Sequence, residues 1–387
     1  MGIDIITGGC GIRLAGNKEA YARISGKIGV CNVTVGPGAT NILTSVHQAK
    51  ASGTPMLIIT AGHEANHDAM DTLQESYAEQ VYGGVTKLAK RMIDSSTYKY
   101  WVRRAVTTAW EPRRGPVILE TELNALVGLD RGSDYYLPEW PDSPIADAWA
   151  APAEIEKLVK FIYGADRPCI YAGEDMLWAR CDAEFVELLE LAQIPTLGRR
   201  GGRGSIPEDH PLCFKTAGVI SESDLCITFG RMDFYDDWGG RWKISGLVQI
   251  TDEKTSLNSW KPTKQVIVAP VRSVIKQMLA YIKEKGLKPP AGRSAWTKHV
   301  QEGEAKREEY LSKNAERFKD RAPIHGLYLS KAVSEFVKER YNNEVIYGGD
   351  SFTGWNLMSP YMKSLHSGWV VDAGIQAGVG HGIGQAI

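Results

Sequence analysis

The stretch GVCNVTVGPGATN, Gly29–Asn41, decides the fold of the first part of this chain. A short apolar strand runs into a Gly-Pro-Gly corner, and small and polar residues follow the corner. Glycine permits positive φ and close approach of the backbone to a ligand, Pro37 fixes the bend, and residues 39–41 can open a helix whose free amide hydrogens face the same space. The stretch therefore predicts a strand, a ligand-binding corner and a helix. The Gly-Pro-Gly alone is weak evidence, because most such turns are only turns.

The composition is that of an ordinary globular protein. The 387 residues are enough for two or three domains with full cores, and the net charge of −1 gives no indication of a nucleic-acid or anionic membrane partner. No apolar run approaches the ~20 residues that span a bilayer, and the first residues lack the basic region of a signal peptide. We therefore expect a cytoplasmic protein. The six cysteines have no metal-ligand spacing, which predicts small core residues in a reducing compartment.

Short apolar strands alternate with amphipathic stretches along the chain, which predicts an α/β protein. We expect three consecutive doubly wound, Rossmann-like units with parallel sheets, the third incomplete. The first unit covers residues 1–128 and the second covers residues 150–285. Residues 286–322 form a linker and a charged, solvated helix, and residues 323–387 form the third unit.

Three segments carry a family resemblance. AYARISGKIGV (Ala20–Val30), the corner and the strand Met56–Thr60 resemble, in that order, the pyrimidine-binding domain of thiamine-diphosphate enzymes of the acetolactate synthase, oxalyl-CoA decarboxylase and 2-hydroxyacyl-CoA lyase type. ADRPCIYAG, from Ala165, and the segments after it resemble the central domain of these enzymes. The glycine-rich end, from Trp369, resembles the opening of their diphosphate-binding domain. The sequence departs from the family pattern at Ala20, where the family has glycine.

The resemblance implies thiamine diphosphate and Mg²⁺ as cofactors of the complete enzyme, with FAD, ADP or nothing in the central domain. The residues that it implies for cofactor binding are Gly36, Pro37, Gly38, Asn41, Thr353, Ala377, Gly378 and Val379. Among them, Ala377 falls at the carbonyl that faces the aminopyrimidine and Val379 at the bulky residue that supports the bent cofactor. The family's metal motif follows the glycine-rich segment, so the resemblance predicts no metal ligand in this chain. Gly349-Asp350-Ser351 is expected to be a strand-end loop instead.

The resemblance also requires a carboxylate against the pyrimidine ring nitrogen, for proton transfer. Counting back from Tyr21 without gaps puts Gly11 at that position. If residues 2–9 match the domain's first strand instead, the rest is shortened and Glu19 is the surviving carboxylate. Both alignments stay open, with Glu19 as the candidate catalytic residue. We expect a chain shortened at both ends that binds the cofactor weakly or not at all by itself.

Residues 63–67 match H-E-x-x-H, which on a helix binds zinc through both histidines. The motif follows a strand and Gly62, so we expect a loop, and a zinc hydrolase through His63 and His67 is the less favoured alternative. By the resemblance, this loop lines the substrate side, with His63 and Gln74 as polar contacts. A plain helix surface is the alternative interpretation of Gln74.

The implied function is that of a carboligase, decarboxylase or lyase acting on a 2-keto acid or an acyl-CoA substrate. The cofactor would lie between domains of two subunits, so the resemblance implies a homodimer or homotetramer. The alternative hypothesis is a truncated, non-catalytic homologue that acts as an oligomerisation or nucleotide-binding module.

Overall fold

The computed structural model describes residues 11–127, 148–232, 236, 240–257, 261–351, 353–372, 374–376, 378–380 and 382–386. The chain folds as two compact units. Unit 1 is Met1–Ile145, Gly348–Ser351 and Val371–Ile387, and unit 2 is Ala146–Tyr347 and Phe352–Val370. The three-domain limits expected from the sequence stay predictions.

The first part of unit 1 alternates helices and strands. Its elements are α1 (Gly11–Ser25), β1 (Gly29–Val33), α2 (Pro37–Thr40), α3 (Leu43–Ala51), β2 (Met56–Ala61), α4 (Ala78–Tyr82), β3 (Leu88–Met92), α5 (Tyr98–Trp110), β4 (Pro116–Thr121) and α6 (Leu123–Val127), with single 3-10 turns at Ala65–His67 and Ser95–Thr97. The strand order is β1-β2-β4-β3, and all neighbours are parallel.

Helices cover both faces of this sheet. Strand residues point alternately to opposite faces, so Ile58 and Ile118 pack on the side of α1 and α3, whereas Leu57 and Val117 pack on the side of α5. Every residue of β4 is buried. Continuous apolar strands of this kind are typical of parallel sheets that are covered on both faces.

Unit 2 contains a five-stranded sheet and long helices. The remaining elements of the chain are α7 (Pro152–Gly164), β5 (Pro168–Ala172), α8 (Asp175–Ala179), α9 (Asp182–Ala192), β6 (Thr196–Gly198), α10 (Gly218–Glu222), β7 (Leu225–Phe229), β8 (Leu247–Thr251), β9 (Gln265–Val268), α11 (Val271–Lys285), α12 (Arg293–Glu316), α13 (Gly326–Tyr341), β10 (Tyr347–Gly348), α14 (Thr353–Met358), β11 (Val370–Val371) and α15 (Gly382–Ala386), with 3-10 turns at Arg200–Gly202 and Lys254–Ser256. The strand order is β6-β5-β7-β8-β9, again all parallel. The predicted α/β class with parallel sheets is confirmed.

Helix α12 differs from its expected character. The sequence predicts a solvated connector here, but Arg293, Trp296 and Val300 are buried, and both apolar side chains join a core cluster of unit 2. The physical reason is the spacing: these three residues fall on one face of the helix, at three- and four-residue intervals. The later turns are the charged, exposed part that the composition indicates.

Two general expectations concern cysteines and membranes. The five described cysteines are free, and four of them are buried, as small core residues should be. None of the helices in the described ranges is long and apolar enough to cross a membrane.

Arg293 generates a stability prediction. Its guanidinium donates to the carbonyls of Ala192 (2.8 Å), Ile162 (2.7 Å) and Ala165 (2.9 Å), at the ends of two helices. Arg293→Met leaves these buried carbonyls without that donor, so we expect the free energy of unfolding of unit 2 to fall by about 3 kcal/mol. Urea unfolding followed by tryptophan fluorescence measures the loss.

The matched control for Arg293→Met is Lys298→Met, an exposed position on the same helix. We expect its unfolding midpoint to stay at the wild-type value. Equal midpoints for the two variants would show that Arg293 does not fasten α12.

Candidate functional site

The Gly-Pro-Gly corner follows β1 as predicted, and its first glycine is sterically required. Gly36 has φ +61°, and a Cβ atom at this position would lie 2.6 Å from the carbonyl oxygen of Gln74. Only glycine combines this conformation with this approach. The corner and the Gln74 loop, two parts of the sequence-predicted site, are therefore in direct contact in unit 1.

The helix after the corner is a single turn. α2 begins at Pro37, and the Tyr82 hydroxyl donates a hydrogen bond to the Ala39 carbonyl from the buried side. Pro37 and Asn41 are exposed, whereas Gly38 is half-buried. The outer side of the corner is thus open to a ligand, and its inner side is filled by the protein.

His63 and His67 point to different environments, so they do not form the two-histidine zinc site. His63 is buried, and its Nε2 hydrogen-bonds the Asp68 carboxylate. His67 is exposed in the 3-10 turn and pairs through Nδ1 with Glu64 at 3.0 Å. The motif lies in a loop after β2, as expected, and lacks the continuous helix that zinc hydrolases need.

Arg91, on β3, braces this loop. Its NH1 and NH2 donate to the two carboxylate oxygens of Asp68 at 2.9 and 2.7 Å, and its Nε lies 2.7 Å from Glu122 Oε1. The hydrogen bonds from Arg91 and then His63 lower the pKa of Asp68 from 3.8 to about 2. A bidentate arginine–carboxylate pair fixes both position and orientation, so Arg91 ties the loop to the end of the sheet.

Glu75 organises the second half of the loop. Its carboxylate accepts from the Tyr77 hydroxyl at 2.6 Å and from the backbone amides of Ala69 and Thr72 at 2.6 and 3.2 Å. The tyrosine hydrogen bond is the main cause that lowers the pKa of Glu75. These bonds offset the strain of left-handed backbone at Ala69, Asp71 and Gln74 (φ 60°, 55° and 60°).

Gln74 itself is exposed and lies in a turn. The alternative that it lies on a helix surface is therefore wrong. Its left-handed backbone turns the carbonyl toward Gly36, and its side chain stays on the solvent side. This placement leaves its proposed role as a substrate-side contact untested.

The loop brings three metal-ligating groups together, although the sequence predicts no metal ligand in this chain. Ligand atoms of His63, Asp68 and Glu75 lie within 4.8 Å of one another. The carboxylate oxygens already accept hydrogen bonds from Arg91, Tyr77 and backbone amides. A metal ion here would have to compete with the Arg91 guanidinium for Asp68, so the contacts favour an ion-pair network.

Glu19, the candidate catalytic carboxylate, is fully buried on α1. Ser52 Oγ donates to its Oε1 at 2.7 Å, Gln385 Nε2 lies 3.4 Å from its Oε2, and Arg23 NH1 lies 3.9 Å from its Oε1. α1 runs without a break from Gly11 to Glu19 and beyond, so the two alternative positions lie about two turns apart on one helix. Both alignments stay open, and Glu19 is enclosed by other side chains.

The remaining predicted cofactor residues are dispersed. Gly378 is buried and Val379 is 73% exposed, both in unit 1. Thr353 opens α14 in unit 2, and Ala377 lies outside the described residues. Among the described residues of the predicted site, the structure brings Gly36 and Gln74 together.

In unit 2, β6 lies on one side of β5 and β7 lies on the other, so the strand order reverses between β5 and β7. Open α/β sheets bind ligands at such a reversal, at the carboxyl ends of the strands. Gly230, after β7, has φ +87°, and a Cβ there would lie 2.7 Å from the backbone nitrogen of Asp175. The Asp175 carboxylate accepts from Thr251 Oγ1 at 2.9 Å. Asp175 therefore contacts the carboxyl ends of both β7 and β8.

Sequence reasoning missed Asp68, Glu75 and Arg91. Arg91 and Asp68 are 23 residues apart, and no short motif encodes their contact. The one local signal was Arg91 itself, a basic residue on β3. This strand belongs to the same sheet as the strand that precedes the candidate loop.

Two family profiles match the chain. Residues 15–81 match the profile described as thiamine pyrophosphate enzyme, N-terminal TPP binding domain, and residues 155–278 match the one described as thiamine pyrophosphate enzyme, central domain. These ranges fall on the two parallel sheets, one in each unit.

Among curated relatives, the chain is similar to the probable acetolactate synthase large subunit of Methanococcus aeolicus, with 32% identity over 55% of this chain and 37% of that protein. It is also similar to acetolactate synthase 1, chloroplastic, of Oryza sativa subsp. japonica, with 26% identity over 75% of this chain and 46% of the relative. The acetolactate synthase large subunit of Haemophilus influenzae is 24% identical over 75% and 53%. The chain spans about half the length of these relatives or less.

The Arg91 brace gives a prediction for the loop. In Arg91→Gln, Asp68 loses its charged partner, so we expect proteolytic cleavage within residues 63–77 to become about tenfold faster. Cleavage is followed by mass spectrometry at neutral pH. The control is Lys90→Gln, whose side chain lies 3.9 Å from Glu79, outside the Asp68 network.

The same brace predicts a pH dependence. The folded pKa of Asp68 is about 2 against an ordinary 3.8, so its contribution is complete above about pH 4 and disappears as the pH falls through about 2. Cleavage in the wild type, measured with an acid-active protease, should therefore rise toward that of Arg91→Gln on acidification. A loop equally resistant in all proteins and at every pH would contradict the brace.

Proposed function

Because the chain carries matches to both the N-terminal TPP binding domain and the central domain, it belongs to the thiamine pyrophosphate enzyme family, and we propose that it takes part in thiamine-diphosphate-dependent making or breaking of carbon–carbon bonds. One observation carries the proposal. The corner Gly36–Asn41 lies inside the range of the N-terminal match and has an exposed outer face.

The residues of the corner fit the cofactor in part. Gly36 is required by the approach of the Gln74 backbone, and a Cβ atom at Gly38 would meet the side chain of Thr34. Pro37 and Asn41 are left to face a ligand, and Asn41 would supply a hydrogen bond from its side-chain amide. When bound, thiamine diphosphate supplies a nucleophilic carbon and an electron sink for a carbonyl substrate.

The proton-transfer group is the weaker part of the fit. Glu19 is the proposed carboxylate, but its two oxygens face Ser52 and Gln385 in this structure. Glu19 would hold a proton for the cofactor's ring nitrogen only after one of these contacts is exchanged. Its assignment stays a proposal.

We propose a 2-keto acid or an acyl-CoA as the substrate. The printed names of the relatives, acetolactate synthases, support a reaction of this class. His63 and Gln74 are the proposed substrate-side residues. Gln74 supports this role best, because its side chain is exposed next to the corner.

Other ligands and partners are also proposals. Mg²⁺ would neutralise the diphosphate, and FAD or ADP would occupy the central domain at the β5–β7 end of its sheet. A second copy of the chain, in a homodimer or homotetramer, is supported by exposed apolar side chains near the candidate site. These include Met70, Leu73 and Val127, which are 67%, 86% and 74% exposed.

Cofactor binding tests the proposal directly. We expect titration calorimetry of the chain with thiamine diphosphate and Mg²⁺ to give weak but saturable binding. Asn41→Ala should weaken it about fivefold, the loss of roughly one hydrogen bond of about 1 kcal/mol. Asn32→Ala, an exposed asparagine on β1, is the matched control and should bind as the wild type does.

The outcome against the proposal is equally clear. No heat of binding up to millimolar thiamine diphosphate, or equal affinities in Asn41→Ala and wild type, would show that the corner does not bind the cofactor. Release of carbon dioxide from a panel of 2-keto acids, compared with and without the cofactor, then tests the reaction class.

A further inference from the structure

The short helix α15 packs against α1 so closely that side chains are excluded. A Cβ atom at Gly384 would lie 2.7 Å from the carbonyl oxygen of Arg13, and one at Gly382 would lie 2.9 Å from the backbone nitrogen of Asp350. The Asp350 carboxylate also accepts a hydrogen bond from the Gly382 amide at 3.1 Å. These two glycines of the glycine-rich end therefore serve contacts within unit 1.

Polar contacts hold the preceding residues in the same place. Arg23 NH1 donates to the Asp372 carbonyl at 3.2 Å, and its NH2 lies 3.8 Å from Asp372 Oδ1. Gln385 Nε2 lies 3.4 Å from both Glu19 Oε2 and the Asp372 carbonyl. Arg23 and Glu19 are almost completely buried. The segment therefore contributes to closing the two charged groups off from solvent.

Gln48, on α3, indicates that this closure leaves polar groups unsatisfied. It is fully buried, and neither its amide oxygen nor its amide nitrogen has a hydrogen-bond partner in the described part of the chain. Gly374 lies against it, since a Cβ there would be 2.7 Å from Gln48 Nε2. Buried amides are nearly always hydrogen-bonded, because an unpaired one is costly. The buried Gln48 amide is thus left without a polar partner among the described residues, because Gly374, which faces it, has no side chain to supply one.

We propose that the described residues of 371–386 act as an intramolecular plug over a polar pocket lined by Glu19, Gln48 and Ser52. Withdrawal of the plug exposes the Glu19 carboxylate and the Gln48 amide, which can then bind a small polar ligand with both donors and acceptors. Arg23 and Asp372 hold the closed state through their ion pair. The inference does not depend on the proposed function, because it concerns contacts within unit 1.

The first experiment displaces the plug sterically. Gly384→Ala places a methyl group against the Arg13 backbone, so α15 has to move away from α1. We expect amide hydrogen exchange in peptides covering 371–386 to become about tenfold faster, and labelling of Glu19 by a carbodiimide with an amine nucleophile to rise by a similar factor. Gly303→Ala is the matched helical control, because nothing lies within 4 Å of its added Cβ.

A second variant covers the case in which Gly384→Ala does not fold. Asp372→Asn keeps the side-chain size and removes the charge that faces Arg23, so we expect a smaller change in the same direction. Peptides from β7 in unit 2 should exchange at the wild-type rate in every folded variant.

Two results would overturn the plug. Glu19 could be labelled in the wild type as fast as in both variants, which would show that nothing closes the pocket. Alternatively, residues 371–386 could exchange faster in the variants while Glu19 stays protected, which would show that the segment does not cover it. Cofactor titrations are not part of this test, so its failure is distinct from failure of the proposed function.

Discussion

Backbone approaches that leave no room for a Cβ atom hold unit 1 together. Such an atom would lie 2.3 Å from the Lys18 carbonyl oxygen at Gly29, 2.6 Å from that of Gln74 at Gly36, and 2.7 Å from that of Arg13 at Gly384. These three contacts join β1 to α1, the corner to the loop after β2, and α15 to α1. A side chain at any of them would move backbone rather than another side chain, so the positions of the candidate site residues depend on these glycines.

Two polar groups of different character depend on this frame. The Asp68–Arg91 pair is partly exposed, so water screens it and its main effect is to orient the loop. Glu19 and Arg23 are buried, and a buried charge is tolerated only when it is paired and hydrogen-bonded. The first group positions residues at the surface of the candidate site, whereas the second requires other segments to enclose it. The glycine-rich segment is one of those enclosing segments.

The candidate site follows the general rule for parallel sheets. The corner follows β1, the His63 loop follows β2, and Arg91 lies on β3 near its carboxyl end, so all three lie at the same edge of one sheet. Loops at this edge tolerate variation because the sheet, not the loop, carries the core. The sheet therefore provides the scaffold, and the loops at its edge carry the candidate site residues. The Asp68–Arg91 brace holds one of these loops.

The sequence by itself determined the α/β class, the parallel sheets and the second strand, expected at Met56–Thr60 and observed at Met56–Ala61. It also located the corner and showed that residues 63–67 lie in a loop. These properties follow from local rules: hydrophobic periodicity, glycine and proline positions, and strand length. The candidate residues Gly36 and Gln74, in contrast, came from the resemblance to a known family.

Only the tertiary structure decided the partners of the charged groups and the role of the glycine-rich segment. Glu19 and Gln385 are 366 positions apart, and Arg91 and Asp68 are 23 apart, so no local pattern encodes either contact. The position of the charged helix α12 was also decided by the tertiary structure. Three buried side chains on one face anchor this helix, although its charged composition indicates exposure to solvent. Composition and periodicity report what a residue prefers locally, whereas burial and pairing depend on which distant segment the folded chain brings against it.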